Sequence, residues 1–428
     1  MSSGLVASGI RFAPREAALK GGAVAMTLLL PLFLFHGRAI ADILLSGVAL
    51  LFLAHSLMAA DWRWTRRPWV WLAAALWLLT LAASARAGPT HSALEALVLV
   101  RLPLFCAALE AWVLTGPRER RWLGWVMVAL AAWLAFECWQ QYLFGRNVMG
   151  DPRWPDGALT GPFHKPRAGG AFLMVLFTGP VAVVLTLIRR SEARARLGGL
   201  ALLLFSVLTM ILIGQRMPTL LMLLGLAATA LIVRRFRKLA LIALAAAAVT
   251  LVALPAISPP TYAKLVVKFA QQMAHFASSP YGQLYTRATV MTAAHPWLGL
   301  GFDGFRDACA DPAYFHGLPA LGIPDDDNGG VLGCNIHPHN YYLQAATSAG
   351  VPGLLLFVAL VCLWLRPMLR ALPSRDVQQA MLLVTACVNF WPAASTSSLF
   401  ILDTAGWVFL MTGWALAASG AQATNIEP

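Results

Sequence analysis

Apolar runs of about twenty residues recur twelve times along this 428-residue chain, each bounded by charge or by Pro and Gly. A hydrocarbon core about 30 Å thick takes roughly 20 residues of helix to cross. Inside lipid every backbone N–H and C=O must find its partner within the protein, which leaves helices and closed barrels as spanning structures. The runs lie near 19–36, 40–60, 69–87, 92–116, 122–144, 169–188, 198–214, 217–233, 239–257, 341–365, 377–393 and 402–419. They are too long for barrel strands. Only 12 % of the residues are charged against 59 % apolar, whereas about a quarter of a soluble chain is charged. A water-soluble globule, a disordered chain, a collagen and a disulfide-stapled secreted module are all excluded. The expected fold is an all-α integral membrane protein of about twelve transmembrane helices. The first run is followed directly by a second and by no Ala-x-Ala site, so it reads as a retained helix rather than a cleaved signal.

The net charge is +13, from 32 Lys+Arg against 19 Asp+Glu. In a soluble chain that excess would suggest nucleic acid. Most of it is instead concentrated in Arg11/Arg15/Lys20, Arg63/Arg66/Arg67, Arg118/Arg120/Arg121, Arg189/Arg190/Arg194/Arg196, Arg234/Arg235/Arg237/Lys238 and Arg366/Arg370/Arg375. With twelve spans, every one of these clusters falls on one side. The positive-inside rule makes that side cytoplasmic, puts both termini there, and removes nucleic acid as a partner.

Two long segments then lie outside, at about 145–168 and 258–340. The expected organisation is helices 1–9 in residues 1–257, a large helical loop domain in 258–340 between helices 9 and 10, and helices 10–12 in 341–428. Loops of that length are usually functional. Within it, Tyr262, Leu265, Val266, Phe269, Met273 and Phe276 recur at three- to four-residue spacing beside Lys264 and Lys268. That is the pattern of an amphipathic helix lying at a membrane interface. No internal repeat is visible, which argues against an inverted-repeat transporter. Cys106, Cys138, Cys362 and Cys387 fall in spans as small apolar fillers. Cys309 and Cys334 share the long loop, where an oxidising compartment permits a bridge.

Basic residues away from the clusters include Arg38, Arg86, Arg101, Arg146, Arg153, Lys165, Arg167, Arg216, Lys264, Lys268, Arg287 and Arg306. Arg216 joins two spans with almost no loop, at the outer interface, where a charge is costly and a functional candidate. A guanidinium that merely snorkels to headgroups is the alternative. Arg101 lies inside the fourth span before Pro103, either functional or paired with Glu95 or Glu137. Arg287 sits on a short helix ahead of the Gly-rich turn His295-Pro-Trp-Leu-Gly-Leu-Gly301, and the two together suggest a shaped loop near a polar ligand. His337-Pro-His339-Asn340 immediately precedes the tenth span. The dipole at that helix N-terminus favours a neutral imidazole, the form a general base requires. A metal site shared with Asp325, Asp326, Asp327 or His316, or interfacial histidines with no task, are the other readings. Asp325-Asp-Asp327 itself reads as a solvated acidic turn. Gly350-x-x-Gly353 places small residues one turn apart, which permits close helix packing.

His339-Asn340, nine residues, then Gly350-x-x-Gly353 resembles the His-Asn-x9-Gly-x-x-Gly signature of bacterial O-antigen ligases. Arg216-x3-Leu220 resembles their Arg-x3-Leu motif, and the long loop after nine spans and the His295–Gly301 string are similar too. Motif matching covers about 214–353, and the topology extends the likeness along the chain. O-antigen polymerases and protein O-oligosaccharyltransferases share the superfamily; the motif pair favours the ligase. The second histidine, His337, departs from the pattern.

The resemblance implies an enzyme of lipopolysaccharide assembly in the bacterial inner membrane with its site on the periplasmic face. It would move O-antigen glycan from undecaprenyl diphosphate to lipid A–core with inversion. His339 is then the general base, and Arg216 and Arg287 steady the departing diphosphate. His337, Asn340 and Arg101 are further substrate-binding candidates. No cofactor and no metal is implied, since guanidinium forks suit the charge, and the partners are the two lipids and the membrane. A transporter of an anionic lipid is the reading from another class.

Overall fold

Each of the twelve apolar runs forms a helix or a helical run in the computed structural model, which describes residues 14–87, 90–326, 328–372 and 376–423. Arg11, Asp327 and Arg375 lie outside the described residues. The helices are α1 (Pro14–His36), α2 (Arg38–Ala59), α3 (Pro68–Ala87), α4 (Thr90–Val98 continued by Arg101–Ala108 and Leu109–Val113), and α5 (Pro117–Phe144). Then come α6 (Ala168–Ile188), α7 (Ala193–Ile213), α8 (Arg216–Ile232) and α9 (Arg237–Ile257). After the long segment follow three more, Tyr341–Arg370, Val377–Asn389 and Leu402–Ala423. Among the described residues nine helices are long and apolar enough to cross a membrane, and α8 and Val377–Asn389 are shorter apolar helices. The protein is a multi-pass, all-helical membrane protein.

The long segment carries helices of its own, as its spacing suggests. The first is α10 (Pro259–Tyr262, a π-turn Ala263–Val267, and Lys268–Ala274), then α11 (Pro280–Ala294) and the short α12 (Gly304–Ala308). The three closing helices are accordingly α13 (Tyr341–Arg370), α14 (Val377–Asn389) and α15 (Leu402–Ala423). The amphipathic face of α10 packs at its start, where Leu265 is buried, and opens at its end, where Met273 and Phe276 are exposed. Lys264 pairs with Asp156 at 2.5 Å and Tyr142 Oη donates to Ile257 O at 3.0 Å. The first bond ties α10 to the segment between α5 and α6, and the second ties the end of α9 to α5. Gln141 holds that segment, donating to Asp151 O, Pro152 O and Thr160 Oγ1 while its own oxygen accepts from Thr160 N.

One hydrophobic core runs through the bundle, with Phe52, Phe105, Leu109, Phe172, Phe177, Phe357, Trp364 and Trp414 among its members. The helix α15 is buried nearly all round, while α9 leaves Val252 80 % exposed and α8 leaves Leu231 76 % exposed. A helix apolar on every side belongs in the centre, and the large outward apolar faces of peripheral helices are what lipid covers.

Two runs expected to be unbroken are not. In α4, Pro103 has no N–H for Leu99 O, and Leu102 N takes that carbonyl instead at 2.9 Å, breaking the helix ahead of Arg101. In α13, Ala349 and Gly350 leave helical geometry, Gly350 with φ +67° and ψ −168°. The Gly350-x-x-Gly353 element, expected as a helix-packing face, is therefore a kink. At Gly350 a Cβ would lie 2.5 Å from Pro296 O, and at Gly299 one would lie 2.5 Å from Ala349 N. Leu300 N and Gly301 N donate to Thr347 O and Ser348 O, and Val351 N donates to Pro296 O. The turn His295–Gly301 thus fills the gap opened in α13, taking up the backbone groups that the broken helix leaves free. The two Gly-rich strings are one interlocked structure.

Candidate functional site

The helix ends that carry the long connecting segments enclose a cavity of about 560 Å³. It is lined from α1 (Leu34, Phe35), α2 (Arg38), α6 (Arg167 at its cap, Gly170), α8 (Met217, Pro218), α14 (Asn389) and α15 (Asp403, Thr404, Trp407). Tyr281 from the start of α11, His337 and His339 before α13, and Ser395, Thr396 and Ser397 between α14 and α15 complete the wall. Its wall combines apolar side chains with polar and titratable ones, as a site for an amphiphilic substrate requires.

His339 is fixed by three neighbours. Its Nδ1 lies 2.9 Å from Thr396 O, and Thr396 N donates to His339 O at 2.7 Å. A carbonyl only accepts, so Nδ1 carries the proton and Nε2 keeps its lone pair. Asn335 Nδ2 sits 3.2 Å from Nε2, and the amide is oriented by Ile336 N donating to Asn335 Oδ1 at 2.7 Å. The Tyr281 ring meets the imidazole edge-on with centroids 5.7 Å apart. Burial holds the His339 pKa below its ordinary value, with the Thr396 bond acting in the opposite sense. At neutral pH the ring is an uncharged base.

His337 is buried beside it, ring centroids 4.1 Å apart, and its Nδ1 accepts from His339 N at 3.2 Å. Burial, then the neighbouring His339, pushes its pKa down to about 3. Asn340 caps α13, its Oδ1 accepting from Tyr342 N and Leu343 N, and its Nδ2 donates to Pro392 O at 2.7 Å and Ala394 O at 3.3 Å. Gln344, one turn on, donates to Ser398 Oγ at 2.7 Å and accepts from Leu399 N at 2.8 Å. The first turn of α13 therefore staples the 390–401 segment that presents Thr396 to the imidazole.

The arginines are distributed differently from the sequence expectation. Arg216 begins α8 at the edge of the cavity, whose wall includes its neighbours Gln215 and Met217, and its guanidinium donates to Gln272 of α10. Arg287 is 0 % exposed and does not line the cavity. It donates to Asn328 Oδ1 at 2.8 Å, to Gly330 O at 2.8 Å and to Cys309 O, and lies 4.2 Å over the Phe315 ring. Arg101 pairs with Asp42 of α2 at 2.7 Å, rather than with Glu95 or Glu137, and is also away from the cavity. The structure thus brings His337 and His339 together, sets Asn340 behind them, holds Arg216 at the rim, and keeps Arg287 and Arg101 apart.

Two guanidiniums that the sequence reading counted but did not single out, Arg38 and Arg167, do line the cavity, Arg167 lying 3.5 Å from Asp403. The polar stretch Ser395-Thr-Ser397 was not singled out either. Its only sequence signal is a run of hydroxyls between two apolar spans. Cys309 and Cys334 are disulfide-bonded with Cα atoms 5.7 Å apart, closing the segment that surrounds Arg287. Asp325 and Asp326 are exposed and cap backbone amides, accepting from Gly317 N and Asn328 N. Among the described residues no three His, Cys, Asp or Glu side chains gather where they could share an ion.

Residues 201–358 match the family model described as O-antigen ligase. That window contains Arg216, Arg287, both histidines, Asn340 and both glycines of the α13 kink. None of the curated proteins matches the chain. The matched segment, less than half of the chain, supplies Gln215, Met217, Tyr281, His337 and His339 to the cavity wall, and over that segment the chain is similar to O-antigen ligases.

Proposed function

We propose that the chain is an O-antigen ligase, transferring a completed glycan from undecaprenyl diphosphate to a sugar hydroxyl of lipid A–core. The site would lie on the periplasmic face of the bacterial inner membrane, with both termini cytoplasmic and residues 258–340 forming a periplasmic domain over it. Members of the matched family are glycosyltransferase-like enzymes acting on lipid-linked glycans. The observation that carries the reading is His339. It is an imidazole of fixed tautomer facing a cavity at the helix ends, inside the matched segment.

In this mechanism the acceptor hydroxyl gives its proton to His339 Nε2 as its oxygen attacks the anomeric carbon. The bond from that carbon to the phosphate oxygen breaks, the electron pair leaves with the diphosphate, and the centre inverts. Charge grows on the leaving group, and guanidiniums stabilise it. We assign that task to Arg38 and Arg167, which line the cavity, and to Arg216 beside it. Arg287, its donors engaged by the loop, holds α11 and hence Tyr281 against His339. The scheme needs no nucleotide and no divalent ion, because the donor's own phosphate ester supplies the driving force.

The test gives purified protein the lipid-linked donor with lipid A–core, with a pilin-like protein, or with a second donor, each with and without EDTA. Extension of lipid A–core in chelator, abolished by His339→Ala, is the expected result. Extension of protein or of the second donor instead assigns the chain to the oligosaccharyltransferase or polymerase branch. Lipid flipping without glycan transfer refutes the enzyme reading altogether.

A further inference from the structure

The two histidines before α13 carry their protons on opposite nitrogens. His339 donates from Nδ1 to Thr396 O, and the lone pair left on Nε2 receives the Asn335 amide 3.2 Å away, the bond that an entering hydroxyl replaces. His337 receives the His339 backbone N–H on Nδ1, so its single proton must sit on Nε2. The backbone produces this arrangement at a cost. His339 has φ +55°, a left-handed conformation that a non-glycine residue adopts at roughly 1 kcal/mol or more. That turn folds the His339 amide back onto the preceding imidazole and brings the rings to 4.1 Å. Both rings line the cavity. One therefore offers it a lone pair and the other an N–H.

We infer that His337 and His339 form a donor–acceptor clamp for one hydroxyl group, with His337 Nε2–H holding the oxygen whose proton goes to His339 Nε2. A hydroxyl has one proton to give and lone pairs to receive with, which is the complement of this pair. As the O–H bond breaks, the proton passes to His339 Nε2 and negative charge develops on the oxygen. In the clamp the His337 N–H stabilises that charge without giving up its own proton. Two identical tautomers could not do both. The burial that keeps His337 neutral maintains the lone pair on Nδ1 for the His339 amide. The inference rests on the reading that a hydroxyl is the acceptor, and it assigns the non-motif histidine to that acceptor rather than to the diphosphate.

The full-length protein in lipid bilayers, 15N-labelled in its histidine rings, tests the tautomers directly by solid-state NMR. His337→Asn and His339→Asn variants assign the signals among the nine histidines. Neutral His337 protonated on Nε2 beside neutral His339 protonated on Nδ1 is the expected result. The same tautomer on both, or a charged His337 at pH 7, overturns the clamp. This readout needs no activity, so a protein that transfers no glycan sinks the functional reading while leaving the tautomers measurable. Kinetics then separate clamp from scaffold. His337→Asn keeps an acceptor for the His339 amide but loses the distal donor, and kcat should fall about 10²- to 10³-fold, as for removal of one oxyanion donor, with the donor-lipid KM little changed. His337→Gln, whose amide reaches the Nε2 position, should recover at least about tenfold over Asn. Wild-type turnover in the Asn variant, or equal loss in the two, would show that His337 only supports the backbone.

Discussion

Replacing Gly350 with alanine isolates the interlock between the α13 kink and the His295–Gly301 turn. Gly350 holds φ +67° and ψ −168°, a region essentially restricted to glycine, and forcing a side chain into it costs about 1–3 kcal/mol. The new Cβ would also stand 2.5 Å from Pro296 O and 2.8 Å from Trp297 C, both backbone atoms that cannot swing aside. The turn must retreat, and with it goes the 2.7 Å bond from Val351 N to Pro296 O, worth about 1–2 kcal/mol when its groups are left buried. The total is roughly 2–5 kcal/mol. An unfolding entropy of about 2.1 cal/mol/K per residue makes each kcal/mol worth about 1 °C in a chain of this length, so Tm should drop by roughly 2–5 °C. Gly198→Ala is the matched control: the position is helical and exposed, nothing lies within 4 Å of its Cβ, and the change should stabilise by about 0.5–1 kcal/mol. Thermal unfolding in detergent, followed by the fluorescence of the 16 tryptophans, reads both. Because α13 begins beside His339, glycan transfer should fall with the Gly350 variant and stay unchanged with the Gly198 variant. A Gly350→Ala protein with wild-type Tm and activity would refute the interlock.

The remaining predictions concern the imidazole and the outer segment. Transfer should fall on the acid side as His339 gains a proton; because burial lowers its pKa, the limb of kcat/KM should lie below the ordinary imidazole value of about 6.5. A limb centred at or above pH 7 would mean another group is the base. Arg287→Ala should leave Asn328 Oδ1, Cys309 O and Gly330 O without their donor, costing about 3 kcal/mol or more and opening residues 309–334 to protease. Arg287→Lys should not rescue it, since an ammonium cannot reproduce the fork, and unchanged protease resistance would count against the structural role. Replacing Cys309 and Cys334 together by Ser removes a cross-link across 25 residues, expected to cost about 3–4 kcal/mol. Limited proteolysis with and without reductant measures it, and no difference would show that the segment is held by its side chains alone.

The apolar runs alone established the helical class and where the long apolar helices lie, though not the helices of the 258–340 segment or the breaks in α4 and α13, because in lipid a segment must satisfy its own backbone, making the length and composition of a run sufficient. The helix start at His339-Asn340 was legible for a related reason: capping and dipole are local properties, and the spacing to Gly350-x-x-Gly353 is a linear pattern. The kink was only half legible. Gly350 marked a place where backbones approach, but Pro296, which fills the gap, lies 54 residues earlier in the sequence. Tertiary structure decided the rest. Arg287 and Arg38 are both guanidiniums among outward-lying residues, yet one is enclosed by loop carbonyls and the other faces the cavity. That difference depends on which helix ends meet. The tautomers of His337 and His339 likewise follow from a carbonyl in the 390–401 segment and a left-handed turn. A helix is written in neighbours along the chain, whereas a site is written in neighbours across it, and only the folded packing of α1, α2, α6, α8, α13, α14 and α15 brings those together.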